Sequence, residues 1–332
     1  MLELQNFLRE FFSIAQTPFF DKLYAADRIT QYFAFEQDVA ENGEEIETPY
    51  AEISEILQPY RNEGFNHKGT LKVDSIKTTM RRMEINWKFN PNAVVGKEGK
   101  HLSNLIQAFH YEEDKSPIAQ KIALYIYDQI LKQSREDRLK KMLLNGVWVA
   151  PPLTGEAPAS TIYDGLLTIK NRLITEGRVT AFPMGALPTG VGLRWKYLSD
   201  LLSYIPDEAS EENTIFFVCK GFFDGVIEDL LDKSVYNGQY GIDAATAQST
   251  KKSGILDIPN MVNMRLIRQT NMIPADGIIG FLDQNAVIYH NKYSDINDSL
   301  RFKELEDTKS LAIVAHAHEC VGFRNPKYIY SN

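Results

Sequence analysis

The sequence predicts an α+β or α/β body carrying a β arm, and three observations predict it. A helical pattern of unusual length runs from Pro117 to Leu144. A stretch with a period of two runs from Thr70 to Phe89. From Tyr163 onward, short apolar runs alternate with amphipathic helical ones and with turn signals. With 332 residues, 44% of them hydrophobic and 24% charged, the chain can bury a substantial core in two bodies or in one elaborated body.

The first 60 or so residues read as helical in pieces, Leu2 to Phe12 and Asp21 to Phe35, and their many aromatic side chains need apolar cover. An acidic stretch, Glu41 to Glu47, follows. Within the period-two stretch, Met83, Ile85, Trp87 and Phe89 point one way, while Glu84, Asn86 and Lys88 point the other. A two-stranded ribbon standing alone is marginally stable, so such an arm wants a partner surface. Met80, Met83, Ile85, Trp87 and Phe89 are therefore the residues expected to meet that partner surface, with Trp87 as an anchor, and Arg81 and Arg82 suit an acidic surface of a neighbour or equally a solvated strand edge. A polar, glycine-bearing stretch, Asn90 to His101, separates the arm from the next helices.

Ser116 suits the N-cap of the long helix and Pro117 its first turn. Ile118, Ile122, Ile126 and Ile130 make an i+4 stripe, with Lys121, Asp128, Lys132, Arg135 and Asp137 mostly on the remaining face. Gly146 gives a tight exit, and Val147, Trp148, Val149 and the Pro151-Pro152 pair make a stiff connection. Such a segment holds two packed bodies at a fixed angle and carries no chemistry of its own. Beyond it the pattern predicts a helix from Tyr163 to Glu176 ended by Gly177, and another from Arg194 to Ile205 ahead of Pro206. A buried-type strand over Thr214 to Cys219 and a helix over Phe222 to Leu231 follow. Strands are predicted at Met261 to Ile267, Ile278 to Leu282, Ala286 to Tyr289 and Leu311 to Ala317. The ending turns at Asn325-Pro326 and places Tyr328 and Tyr330 on one strand face.

A net charge of -8 excludes a whole-chain electrostatic footprint for nucleic acid. Two distant cysteines, Cys219 and Cys320, give no disulfide framework and fit a reducing compartment. The start lacks the basic leader of a secretory signal, and no apolar run approaches the length of a membrane span, so a soluble, cytoplasmically made protein is expected. His316, His318 and Cys320 are the most tempting chemical set, because His-x-His is a genuine ligand spacing. On a strand, however, positions four apart lie about 13 Å from one another, so the three cannot grip one ion without a kink. Ser249 to Lys252 has the Ser-x-x-Lys form without its companion elements. Gly190 and Gly192 lack the third glycine of a dinucleotide site, and Gly96-Lys97 lacks the spacing of a phosphate loop. No catalytic, metal or cofactor residue is assigned.

The order of these parts carries a resemblance. A β arm, a long spine helix, the NGVWVAPP connection, Tyr163-Asp164-Gly165-Leu166 opening a helix, and a terminal GFRNP-aromatic strand together resemble major capsid proteins of tailed bacteriophages, most similar to those of Bacteroidota phages and prophages. The resemblance covers roughly Gly69 to Asn332 and implies the Hong Kong 97-type capsid fold. It implies a helix-rich N-terminal arm over 1–68, an extended loop over 69–100 lying on a neighbour, and a peripheral domain with the spine helix over 101–150. It further implies an axial domain over 151–298 and a return to the peripheral sheet over 299–332. The function so implied is structural: self-assembly as pentamers and hexamers into an icosahedral head, built in the host bacterial cytoplasm around non-specifically contacted double-stranded DNA. Scaffold, portal and other head proteins are the implied partners; no enzyme activity, cofactor or membrane is. An encapsulin-like compartment shares the fold and is the first alternative. A cytoplasmic α+β metal-dependent enzyme using His316 and His318 is the second.

Overall fold

The computed structural model describes residues 4, 6–8, 10–11, 16–25, 27, 29–37, 40–54, 68–89, 100–111, 116–152, 155–206, 211–231, 242–259, 261, 263–291, 301–305 and 310–332. In chain order these give α1 (Gln16–Leu23), β1 (Ala34–Gln37), β2 (Glu45–Ile53), β3 (Leu71–Thr79), β4 (Arg81–Phe89), α2 (Lys100–Tyr111) and α3 (Ser116–Asp137). Beyond these come α4 (Leu166–Thr175), α5 (Leu193–Leu202), β5 (Thr214–Cys219), α6 (Lys220–Leu231), α7 (Ala244–Ser253), β6 (Ile255–Asp257) and β7 (Met264–Gln269). The chain ends with β8 (Ile279–Leu282), β9 (Ala286–Asn291), β10 (Arg301–Leu305), β11 (Ser310–Phe323) and β12 (Ile329–Ser331).

Two sheets organise the molecule. The first runs β1-β9-β11-β10 with β4 added beside β11; the second runs β12-β8-β5-β7-β6. The spine helix α3 buries the expected stripe, Ile118, Ile122, Ile126 and Ile130, and ends in a π-helical turn, Arg138–Met142. Residues 6–8, 10 and 11 are helical, in keeping with the first predicted helix. The second, over Asp21 to Phe35, is corrected. Asp27 takes the Ile29 and Thr30 amides onto its carboxylate, at 2.7 and 2.9 Å, which turns the chain out of α1 and into β1. In the second sheet β5 is buried at every position, and Asp229 of α6 accepts hydrogen bonds from the amides of Gly192, Arg194 and Trp195 at 2.6–3.0 Å. That carboxylate caps α5 from outside, satisfying donors a helix start leaves unpaired.

Two further expectations move. The period-two stretch forms two strands, β3 and β4, that do not pair with one another: β3 pairs antiparallel with β2, from Glu45↔Thr79 to Ile53↔Leu71, and β4 pairs with β11. A single residue, Met80, lies between them, too short a link for a reversal, so the chain runs straight from the ribbon into the body. β9 belongs to the first sheet and β12 to the second, so the chain crosses between sheets at 283–285 and again at 324–328. Finally, Tyr328 closes a short 3-10 turn and only Tyr330 lies in the last strand, since the fixed backbone of Pro326 starts that turn.

Candidate functional site

The residues expected on the free arm sit at its root. Met80 has no exposed surface and Met83 is buried, both covered by their own chain. Ile85 and Trp87 are half-buried against the core, with Trp87 opposite Ile313 in β11. Trp87 also lines a groove of about 440 Å³ between β4 and α3, together with Ile130, Met142 and Ile162. Arg81 stacks its guanidinium 4.0 Å from the centre of the Trp148 ring, and the exposed Arg82 donates its amide to Asn42 Oδ1 at 2.9 Å. The Phe89 backbone pairs with Leu311, while its side chain lies outside the described residues.

The projecting element is the β2–β3 ribbon. One of its faces is docked: Ile46, Tyr50 and Ile76 are buried, and the Thr48 and Tyr289 hydroxyls meet at 2.6 Å. Arg178 fastens the same face, donating to Ser75 O at 2.6 Å and pairing with Asp74 at 3.0 Å. The opposite face turns outward. Lys77 bridges Glu45 and Glu47 there, and beyond them Leu71 and Val73 stand 63% and 64% exposed beside Ala51. A charged stem with an uncovered apolar end is an amphipathic surface that its own chain does not bury.

Behind the ribbon lies the joint between the two bodies. The first amides of α4 bond the last carbonyls of the spine: Leu166 to Leu143 O and Leu167 to Leu144 O, both 3.0 Å, with Gly165 to Gly146 O at 2.8 Å. Each helix end thereby satisfies the groups the other leaves orphaned. The approach requires two glycines. A Cβ at Gly146 would lie 2.3 Å from Tyr163 O, and one at Gly165 2.5 Å from Leu144 O. The Val147–Val149 step pairs back onto the Ser160 and Thr161 carbonyls at 2.8 and 3.1 Å. The angle expected from the connection is thus set by backbone contact.

Beside the joint is a buried polar cluster that sequence reasoning missed. Arg138 Nε donates to Glu319 Oε2 at 2.6 Å, and the Tyr163 hydroxyl donates to Glu319 Oε1 at 2.5 Å. Arg138 also lies 4.9 Å from the centre of the Tyr24 ring and donates to Leu23 O at 3.4 Å; Tyr24 in turn stacks on His290. Burial pulls the guanidinium down, while the Glu319 charge and the two tyrosines push it up, and it ends above its ordinary value. Burial first, then the Glu319 carboxylate, pushes the Tyr24 and Tyr163 phenols well up. One signal is present in the sequence: Glu319 is the lone acid of its strand, set between His318 and Cys320, which offer the more familiar ligand pattern.

His316, His318 and Cys320 do share a face of β11, opposite Glu84, Arg82 and Tyr289 respectively. His316 faces Glu84 at 3.7 Å, and burial pushes the Cys320 thiol far up. No group of three His, Cys, Asp or Glu side chains converges among the described residues. Ser249 lies within α7 and donates to Thr246 O, engaged by its own helix. Among the described residues no helix is long and apolar enough to cross a membrane.

No family model and no curated protein matches the sequence. Solved structures do. The chain is similar to one from "Satellite phage P4 procapsid including size determination (Sid) protein", at 14% identity over 95% of this chain and 90% of that one, with a TM-score of 0.55. Matches with lower TM-scores include the cyanophage A-1(L) capsid asymmetric unit (0.48, 11% identity, 91% of both chains) and the virus-like particle from Pyrococcus furiosus (0.43, 9% identity, 97% and 98%). The fold is the Hong Kong 97 capsid type.

Proposed function

We propose that the chain is the major capsid protein of a tailed phage, a structural subunit that assembles as pentamers and hexamers into an icosahedral head around double-stranded DNA. The observation that carries this reading is the outward face of the β2–β3 ribbon, where Leu71 and Val73 stand uncovered on an element otherwise fastened to the body. An apolar end held out on a stiff ribbon is suited to lie on a second copy. A contact between two different patches of the same chain, repeated by rotation, closes rings. The similarity to a phage procapsid chain supports the same reading. The acidic net charge suits a wall that holds packed DNA without gripping it.

The extended loop in this reading is the β2–β3 ribbon, Glu45–Ile53 with Leu71–Thr79. Scaffold and portal proteins are the further partners it calls for, with assembly in the bacterial cytoplasm. The test is Leu71→Ser with Val73→Ser. Both side chains are exposed, so the variant should keep its fold by circular dichroism and its melting temperature, and should sediment as unassembled subunits. Shells formed as readily as by the parent chain would refute the assignment of the ribbon.

A further inference from the structure

The buried cluster reaches in two directions. Toward the joint, Tyr163 binds Glu319 through its hydroxyl, while its backbone carbonyl is the atom Gly146 packs against. Toward the N-terminal segment, Arg138 donates to Leu23 O and lies over Tyr24. The same segment is held along the spine by Phe19, edge-on to Tyr127 at 5.6 Å, and by Arg135, which donates to Ala25 O at 3.4 Å. Arg138 itself opens the π-helical turn, where its carbonyl accepts from Leu143 N at 3.0 Å, and Leu143 O in turn accepts the first amide of α4. One residue therefore belongs to both sets of contacts.

We infer that docking of the N-terminal segment, 16–33, and the angle at the joint are one coupled state, with Arg138 as the shared element. With the segment in place, the guanidinium is held between Leu23 O, the Tyr24 ring and Glu319, with 3% of its side chain exposed. Its Nη2 has no partner among the described residues, so losing Leu23 O leaves a second donor of the buried guanidinium unsatisfied. The groove between β4 and α3 opens on it, and Leu23 forms part of that groove's wall. Lifting the segment removes the wall and two of the three contacts. A charge buried with only Glu319 then moves toward water in the groove, Glu319 turns from Tyr163, and the Tyr163 carbonyl loses the support that sets Gly146. Coupling of this kind is reciprocal: opening the joint also loosens the segment. On the capsid reading, a neighbour that displaces the segment resets the angle this subunit presents to the next copy.

Native-state hydrogen exchange of the full-length protein as purified decides the matter, and it does not depend on shells forming. The amides of α1 and those of Leu143, Gly146, Gly165, Leu166 and Leu167 should open together, with one denaturant dependence. A Tyr24→Leu variant should speed exchange at Leu166 and Leu167 by about tenfold. In a chain already carrying Arg138→Met and Glu319→Leu, the same change should leave those two amides unaltered. Opening of α1 with its own separate dependence, or joint amides unmoved by Tyr24→Leu, would overturn the coupling. If either variant fails to fold, the exchange pattern of the parent chain decides alone, with joint opening supporting the coupling and separate opening overturning it.

Discussion

Glu319 shows what a single buried charge demands of its surroundings. A carboxylate inside a strand is costly unless it is both paired and hydrogen-bonded, and here each oxygen has its own donor, Arg138 on one side and Tyr163 on the other. Glu319→Gln leaves Arg138 buried without its counter-charge and should cost about 3–5 kcal/mol in denaturant unfolding. Replacing the pair by Arg138→Met and Glu319→Leu removes both charges and should leave the midpoint near that of the parent. Trp87 makes the opposite point. Its ring packs on its own body, so Trp87→Ala should lower stability by about 2 kcal/mol, while the chains that remain folded assemble as before. Loss of assembly from a fully stable Trp87→Ala protein would return that residue to the interface.

Among the elements, the joint and the ribbon do different work. The joint is rigid because two helix ends share their hydrogen bonds across two glycines. Gly165→Ala drives a methyl against Leu144 O and should cost about 2 kcal/mol or more, whereas Gly185→Ala, with open space around its Cβ position, should change little. Comparative unfolding of the two variants checks this. The spine and its isoleucine stripe are legible in the sequence because one face of a long helix repeats every three to four residues. The strands of the second sheet are legible because they are short, apolar and bounded by turns. The ribbon is legible only by half. β3 shows its alternation, but β2 hides beneath the glutamates of 41–47 and a mid-strand proline, Pro49, although Ile46 and Tyr50 hold the buried face. The Arg138–Glu319 pair joins residues 181 positions apart, and nothing local to either announces the other. Gly146 stands out in the sequence as an angle-setting exit from the spine. Its partner Gly165 shows there only as part of a helix opening, because the close approach that needs it comes from a distant carbonyl.

At the scale of the whole molecule, the two sheets and the joint bury a large apolar core, and Leu71 and Val73 on the ribbon are among the large apolar side chains left exposed. An exposed apolar end of two side chains gives little affinity in a single contact. Repeated around a closed ring and again between rings, modest contacts sum to a firm wall, because each one formed brings the next within reach. On the proposed reading the joint matters for the same reason, since the angle it holds while the N-terminal segment is docked is the angle each copy presents to the next. The chain that resembles phage capsid proteins in its sequence has the Hong Kong 97 capsid type of fold in three dimensions, and on the proposed reading the exposed face of the ribbon is where copies meet.

Whether the chain builds a wall from copies of itself is best seen by electron microscopy of the purified full-length protein, concentrated at neutral pH. Rings, tubes or closed shells of identical copies are expected for the parent chain. A population of single, separate subunits that persists at high concentration, with Leu71 and Val73 still open to water, would contradict a shell-forming role.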